Sequence, residues 1–113
     1  MALDSVKVVA NNRRASYDYF LLDSYEAGIV LLGSEIKSVR SGKVQLRQSH
    51  VTDKGGELWL INAHIAAYEW ATDHNYDPVR VRKLLLHRRE INKVIHKLRE
   101  SGLTVIPTKM YIR

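Results

Sequence analysis

A chain of 113 residues that is 45% hydrophobic and 27% charged, with six glycines and two prolines, has the composition of one folded domain, which excludes a mainly disordered or fibrous chain. With no cysteine it can hold no disulfide framework, thiolate zinc site, iron–sulfur cluster or cysteine nucleophile. The formal charge of +6 is unevenly placed: residues 1 to 79 hold 8 Lys/Arg against 10 Asp/Glu, and residues 80 to 113 hold 10 against 2. A basic last third on a near-neutral body points to a polyanion partner, nucleic acid before membrane because no lipid-binding apolar face accompanies it.

Residues 1 to 11 read as a flexible leader. Asp4 and Lys7 break the apolar run in the wrong order for a signal peptide, and no stretch approaches the ~20 apolar residues of a membrane helix. The expectation is a soluble, cytoplasmic protein without membrane partners. Tyr17 to Leu22 and Gly28 to Leu32 are short apolar and aromatic runs, which predict one long bent strand or two consecutive ones over 16–32. Next, Ser34 can cap a two-turn helix, Glu35 suits its first turn, Gly42 stops it, and Ile36 and Val39 would share its buried face.

The segment 44–52 is strand-like with a change of phase near Gln48, as a bulge would produce. Gly55-Gly56 then signals a hairpin turn, and Glu57 to Ile65 reads as the return strand. Residues 68 to 82 show no periodicity, and Asp77-Pro78 marks them as a loop. A helix begins between Lys83 and Arg88. In it Ile91, Val94, Ile95 and Leu98 form one apolar stripe, with Arg89, Lys93, His96 and Lys97 opposite, and Ser101-Gly102 ends it. Leu103 to Ile112 follows as a strand with an edge or bend at Pro107. The order predicts a single α+β domain over 1–113, mainly β, with an OB-like antiparallel β-barrel carrying one short and one longer helix.

Candidate binding residues follow from charge and aromatic placement. Arg89, Lys93 and Lys97 are spaced by four, a ladder able to follow phosphates or simply a solvated helix face, and only Glu90 and Glu100 lie nearby to offset the cations. Arg13 and Arg14 precede Tyr17 and Tyr19, which alternation puts on one face; that face packs in the core or, if exposed, stacks on unpaired bases. Lys37 and Arg40 share a helix face. The five histidines have no metal-ligand or catalytic spacing, and the nearest thing to a metal site is Asp73-His74-Asn75-Tyr76-Asp77, with one histidine. No cofactor, metal or catalysis is expected.

Specific strings carry a resemblance. Asn12-Arg13-Arg14-Ala15 leading to Asp18-Tyr19-Phe20, Tyr25-Glu26-Ala27-Gly28-Ile29, the run Gly33 to Val44, Asn62-Ala63-His64-Ile65, Asp77-Pro78 and Arg82 to Ile91 occur in one register from about Asn11 to Arg113. Together they resemble the small protein B (SmpB) family of bacterial SsrA-binding proteins. The resemblance implies a non-catalytic RNA-binding protein with an oligonucleotide-binding-type β-barrel. It would bind the tRNA-like domain of transfer-messenger RNA (tmRNA) and deliver it to stalled ribosomes, at the small-subunit decoding region, for trans-translation. By position, Glu26 and Leu85 match family residues tied to that RNA contact, and Asn12, Arg13, Arg14, Lys37, Arg40 and Lys83 match polar positions of the same motifs. With Tyr17 and Arg89 from the residue pattern, these are the ten RNA-binding candidates.

Two departures qualify the likeness. Ser16-Tyr17 stands where the family usually shows Arg-His, which removes a cation and a ring nitrogen but keeps an aromatic face. Family members usually continue past the string matching Met110 to Arg113 with a strand and a long basic tail. A chain without them is expected to bind RNA as a monomer but not to support tagging. A general OB-type RNA-binding or ribosome-associated protein is the alternative, and a metal-dependent nuclease a third.

Overall fold

The computed structural model describes residues 6–68, 76–100 and 102–113. Its elements in chain order are β1 (Lys7–Asn11), α1 (Arg14–Asp18), β2 (Gly28–Ile29), α2 (Gly33–Arg40), β3 (Val44–Gln45), β4 (His50–Lys54), β5 (Glu57–Ile61), β6 (His64–Ile65), β7 (Arg82–Leu85), α3 (Arg88–Leu98) and β8 (Lys109–Ile112). Pairing is antiparallel in three ladders: β1 with β8, the order β2-β7-β5-β4, and β3 with β6. The mainly β, α+β class expected from the sequence is present. The ladders remain three separate pieces among the described residues and do not close into one ring.

The hairpin forms as expected. Gly55 and Gly56 have φ of 64° and 78°, the left-handed pair a two-residue turn requires, and they join β4 to β5 in register from His50 opposite Ile61 to Lys54 opposite Glu57. Alternation along β5 buries Leu58 and Leu60. These join Val39, Val44, Leu46, Val51, Ala63, Ile65, Ile91 and Val94 in one core. α3 lays its stripe on that core, with Ile91 and Val94 buried and Ile95 and Leu98 packed beside them.

Five expectations are corrected. Residues 7–11 are not a leader: they form β1 on β8, with a register shift between Val8 and Ala10. The strand expected from residue 16 instead starts as α1, because Ala15 N donates to Asn12 O and the chain turns there. Tyr17 is consequently 86% exposed and Tyr19 also lies outside, so neither is a core aromatic. The phase change near Gln48 is a full turn: Ser49 donates to Leu46 O through its N at 3.0 Å and its Oγ at 2.6 Å, so β3 and β4 pair with different partners. The return strand likewise stops at Asn62, whose φ of 61° redirects β6.

On α2 the buried face is Glu35, Ser38 and Val39, while Ile36 is 40% exposed. The helix also starts one residue early, at Gly33, with Leu32 as its cap residue and not Ser34. Lys83 belongs to a strand, and α3 begins only at Arg88. The loop ahead of β7 is visible from Tyr76: Val79 N donates to Asp77 Oδ1 at 3.0 Å, an Asx turn of the kind Asp-Pro favours. Asp73, His74 and Asn75 lie outside the described residues. No described helix is long and apolar enough to cross a membrane.

Candidate nucleic-acid interface

A buried ionic node sets the position of β7. Glu35 and Arg82 have fully buried side chains. Glu35 Oε1 accepts from Arg80 at 2.6 Å and from the Leu32 backbone N at 2.8 Å, and its Oε2 accepts from Arg82 Nε at 2.9 Å. Arg82 spends its remaining donors on Ala63 O at 2.8 Å and Pro78 O at 3.1 Å. Burial pushes the Glu35 carboxyl up, but the hydrogen bonds from Arg80, Arg82 and Leu32 outweigh it and hold the group at about 2. Tyr76 closes the node's flank, its hydroxyl donating to Ile65 O at 2.5 Å; burial, then the Glu35 charge, pushes its phenol up.

With Arg82 turned inward and Leu84 packed on the core, alternation turns Lys83 and Leu85 outward. Leu85 is 51% exposed and pairs with Gly28, where an added Cβ would lie 3.4 Å from Leu85 Cβ. Glycine thus leaves the leucine face uncovered. Glu26, two residues before Gly28, is exposed at the same end of the β2–β7 ladder and accepts from Arg113 at 2.9 Å. Lys83 lies opposite Trp59, whose indole N–H is fixed to Lys54 O at 3.1 Å.

α3 extends this rim. A groove of about 910 Å³ runs between its outer face and residues 23–25, lined by Arg88, Arg89, Asn92, Lys93 and His96 among others. Folding has already used part of its charge. Arg88 is committed to Gly56 O at 2.7 Å and Glu57 at 2.8 Å, and Lys97 to Asp23 at 2.7 Å. Arg89 and Lys93 are the α3 cations with no acidic partner among the described residues, so the expected three-residue ladder is reduced to two.

The other candidates sit on different elements. Asn12 is buried, and its side-chain amide donates to Pro107 O at 3.0 Å and Leu46 O at 3.3 Å, so it anchors the β1–α1 junction and does not reach outward. Arg13, Arg14 and Tyr17 emerge from that junction, with Arg14 Nε 3.4 Å from Asp18. Lys37 and Arg40 are exposed on α2. The Lys37 ammonium lies 5.2 Å from the Tyr68 ring centroid, and Arg40 O accepts from Lys7 Nζ at 3.0 Å. Trp59 and Lys93 were missed as rim residues; the alternation of β5 and the fourfold spacing of α3 are the signals that place them.

Charge segregation along the chain is largely undone in space. Acidic residues of the first part offset the basic third through Glu35 with Arg80 and Arg82, Glu57 with Arg88, Asp23 with Lys97, Asp53 with Arg99 and Glu26 with Arg113. The expectation that only Glu90 and Glu100 do so is therefore corrected. No group of three or more His, Asp or Glu able to hold a metal occurs among the described residues.

Comparison with known proteins places this geometry. A family model described as "SmpB protein" matches residues 9–113. The SsrA-binding protein of Geobacillus sp. (strain WCH70) is 53% identical over 107 residues, covering 95% of this chain and 69% of that protein. The SsrA-binding protein of Desulfitobacterium hafniense (strain DSM 10664 / DCB-2) is 48% identical over 113 residues, covering 100% and 72%. A solved structure described as "tmRNA-SmpB: a journey to the center of the bacterial ribosome" superposes with a TM-score of 0.76 at 47% identity, covering 94% of this chain and 73% of that one.

Proposed function

The chain belongs to the SmpB family, and from that premise we propose that it binds the tRNA-like domain of tmRNA, the SsrA RNA, and delivers it to stalled ribosomes in trans-translation. The observation that carries this reading is the exposed rim at the end of the β2–β7 ladder. Glu26 and an uncovered Leu85 stand there, and the groove holding Arg89 and Lys93 begins three residues beyond Leu85.

Each group has a role its chemistry permits. Arg89 and Lys93 neutralise phosphates, the sequence-independent part of affinity. Leu85 offers an apolar surface to an unstacked base, and Glu26 accepts a hydrogen bond from a base edge or 2′-hydroxyl while Arg113 holds it in place. Tyr17 adds an exposed ring for stacking beside Arg13 and Arg14, and Lys37, Arg40 and Lys83 supply further cations. Nothing in this scheme makes or breaks a bond: the protein is an adaptor acting in the cytoplasm, where ribosomes are. Asn12 acts indirectly, by fixing where the two arginines emerge.

A gel-shift titration of the tRNA-like domain against Glu26→Ala and Leu85→Ala tests the reading. Both variants should weaken binding, by about 1–3 kcal/mol if a base is stacked on Leu85. Unchanged affinity in two folded variants would remove the rim from the interface.

A further inference from the structure

Outside the rim, β8 carries a second feature that no role above uses. Met110 and Ile112 pack on the core, so strand alternation turns Lys109, Tyr111 and Arg113 to the other face. The Lys109 ammonium and the Arg113 guanidinium each lie 5.9 Å from the Tyr111 ring centroid. Across the ladder Tyr111 faces Val8, a half-exposed apolar side chain. At its far end the stripe reaches the rim, since Arg113 is bound to Glu26.

We propose that Lys109, Tyr111 and Arg113 form a subsite for an unpaired RNA strand, running along β8 to Glu26. The proposal rests on the RNA-binding reading and adds to it both a location and a preference for single strands. Residues i and i+2 of a strand are about 6.6 Å apart, so the two cations bracket the ring at roughly even intervals along an extended backbone. A base stacking on Tyr111 takes the place of a cation at the ring, and the displaced cation moves to that nucleotide's phosphate. The exchange keeps both contacts satisfied. Val8 widens the apolar platform under the base. A duplex hides its base faces and cannot use the ring, which is why the stripe selects unpaired RNA.

The test is a fluorescence-anisotropy titration of the full chain with a labelled oligouridylate, a short RNA duplex, an oligoglutamate and the tRNA-like domain. Tyr111→Leu should weaken oligouridylate binding about tenfold, and Tyr111→Trp should preserve it. The duplex should bind more weakly than the single strand and be insensitive to both changes. The double variant K109Q/R113Q, which alters no core contact, should lower the slope of log affinity against log salt for the oligouridylate by about 1.4. Single-strand binding unaffected by Tyr111→Leu in a folded protein, or an unchanged salt slope in the double variant, overturns the subsite. So does oligoglutamate binding as tight as the oligouridylate's. If those failures occur while Glu26→Ala still weakens the tRNA-like domain, the rim stands and only the stripe falls; if no RNA binds, both fall.

Discussion

Glu35 is the residue on which the site's placement turns. Its two arginines come from 45 and 47 positions later, and its own position in the first turn of α2 ties helix to strand. Removing one partner of a buried pair leaves the other charged without compensation. Glu35→Ala should therefore lower stability by about 3–5 kcal/mol in urea unfolding, with Arg82 left buried. The same node predicts acid sensitivity. Because the folded carboxyl titrates at about 2, below its ordinary 4.5, its contribution is complete above pH 4.5 and is lost as pH falls from there towards 2. Chemical denaturation at stepped pH should show that loss in the wild type and a much flatter profile in Glu35→Gln. The sequence showed Glu35 only as a residue suited to a helix start, because its partners are remote. For Leu85 the string match pointed to RNA, but whether the side chain faced out depended on Gly28, which no local pattern links to it.

Among the elements, the hairpin was the most legible because its turn chemistry is local. Gly55→Ala tests it: a Cβ has room there but meets a φ of 64°, and the left-handed backbone should cost about 1–2 kcal/mol in thermal or urea unfolding. α3 was legible as an amphipathic helix, yet its start was not, since Arg82 to Leu85 is too short to distinguish a strand from a helical lead-in without knowing that Arg82 turns inward. Its charge was misread for a related reason: spacing shows which cations align but not which are already paired. Arg89→Ala and Lys93→Ala should each lower the salt slope of tRNA-like-domain binding by about 0.9. Lys97→Ala should change it less, because Asp23 already holds that ammonium and raises its pKa by hydrogen bonding. Equal effects from all three would restore the full ladder.

For the whole molecule, composition pointed to a polyanion from the excess of cations in the last third, and the fold changes what that excess means. Five acidic residues from the first 57 positions are folded onto the basic segment, so the cations left for RNA are fewer and lie at particular places: Arg89 and Lys93 in the α3 groove, Lys83 beside Leu85, and Lys109 on β8. A uniformly basic tail would bind any nucleic acid, whereas a few placed cations around Glu26 and Leu85 bind one shape. The α+β class and the antiparallel pairing were readable from strand and turn signals; the assignment of β1 to β8, 102 positions apart at Lys109 and Lys7, was not, because neither strand's local sequence names its partner. The most direct measurement is a competition titration in which unlabelled tRNA-like domain, ordinary tRNA and random single strands displace labelled tRNA-like domain from the protein at fixed salt. The tRNA-like domain should compete ~10-fold or more better than either, about 1.4 kcal/mol; equal competition by all three would contradict a dedicated tmRNA-binding protein.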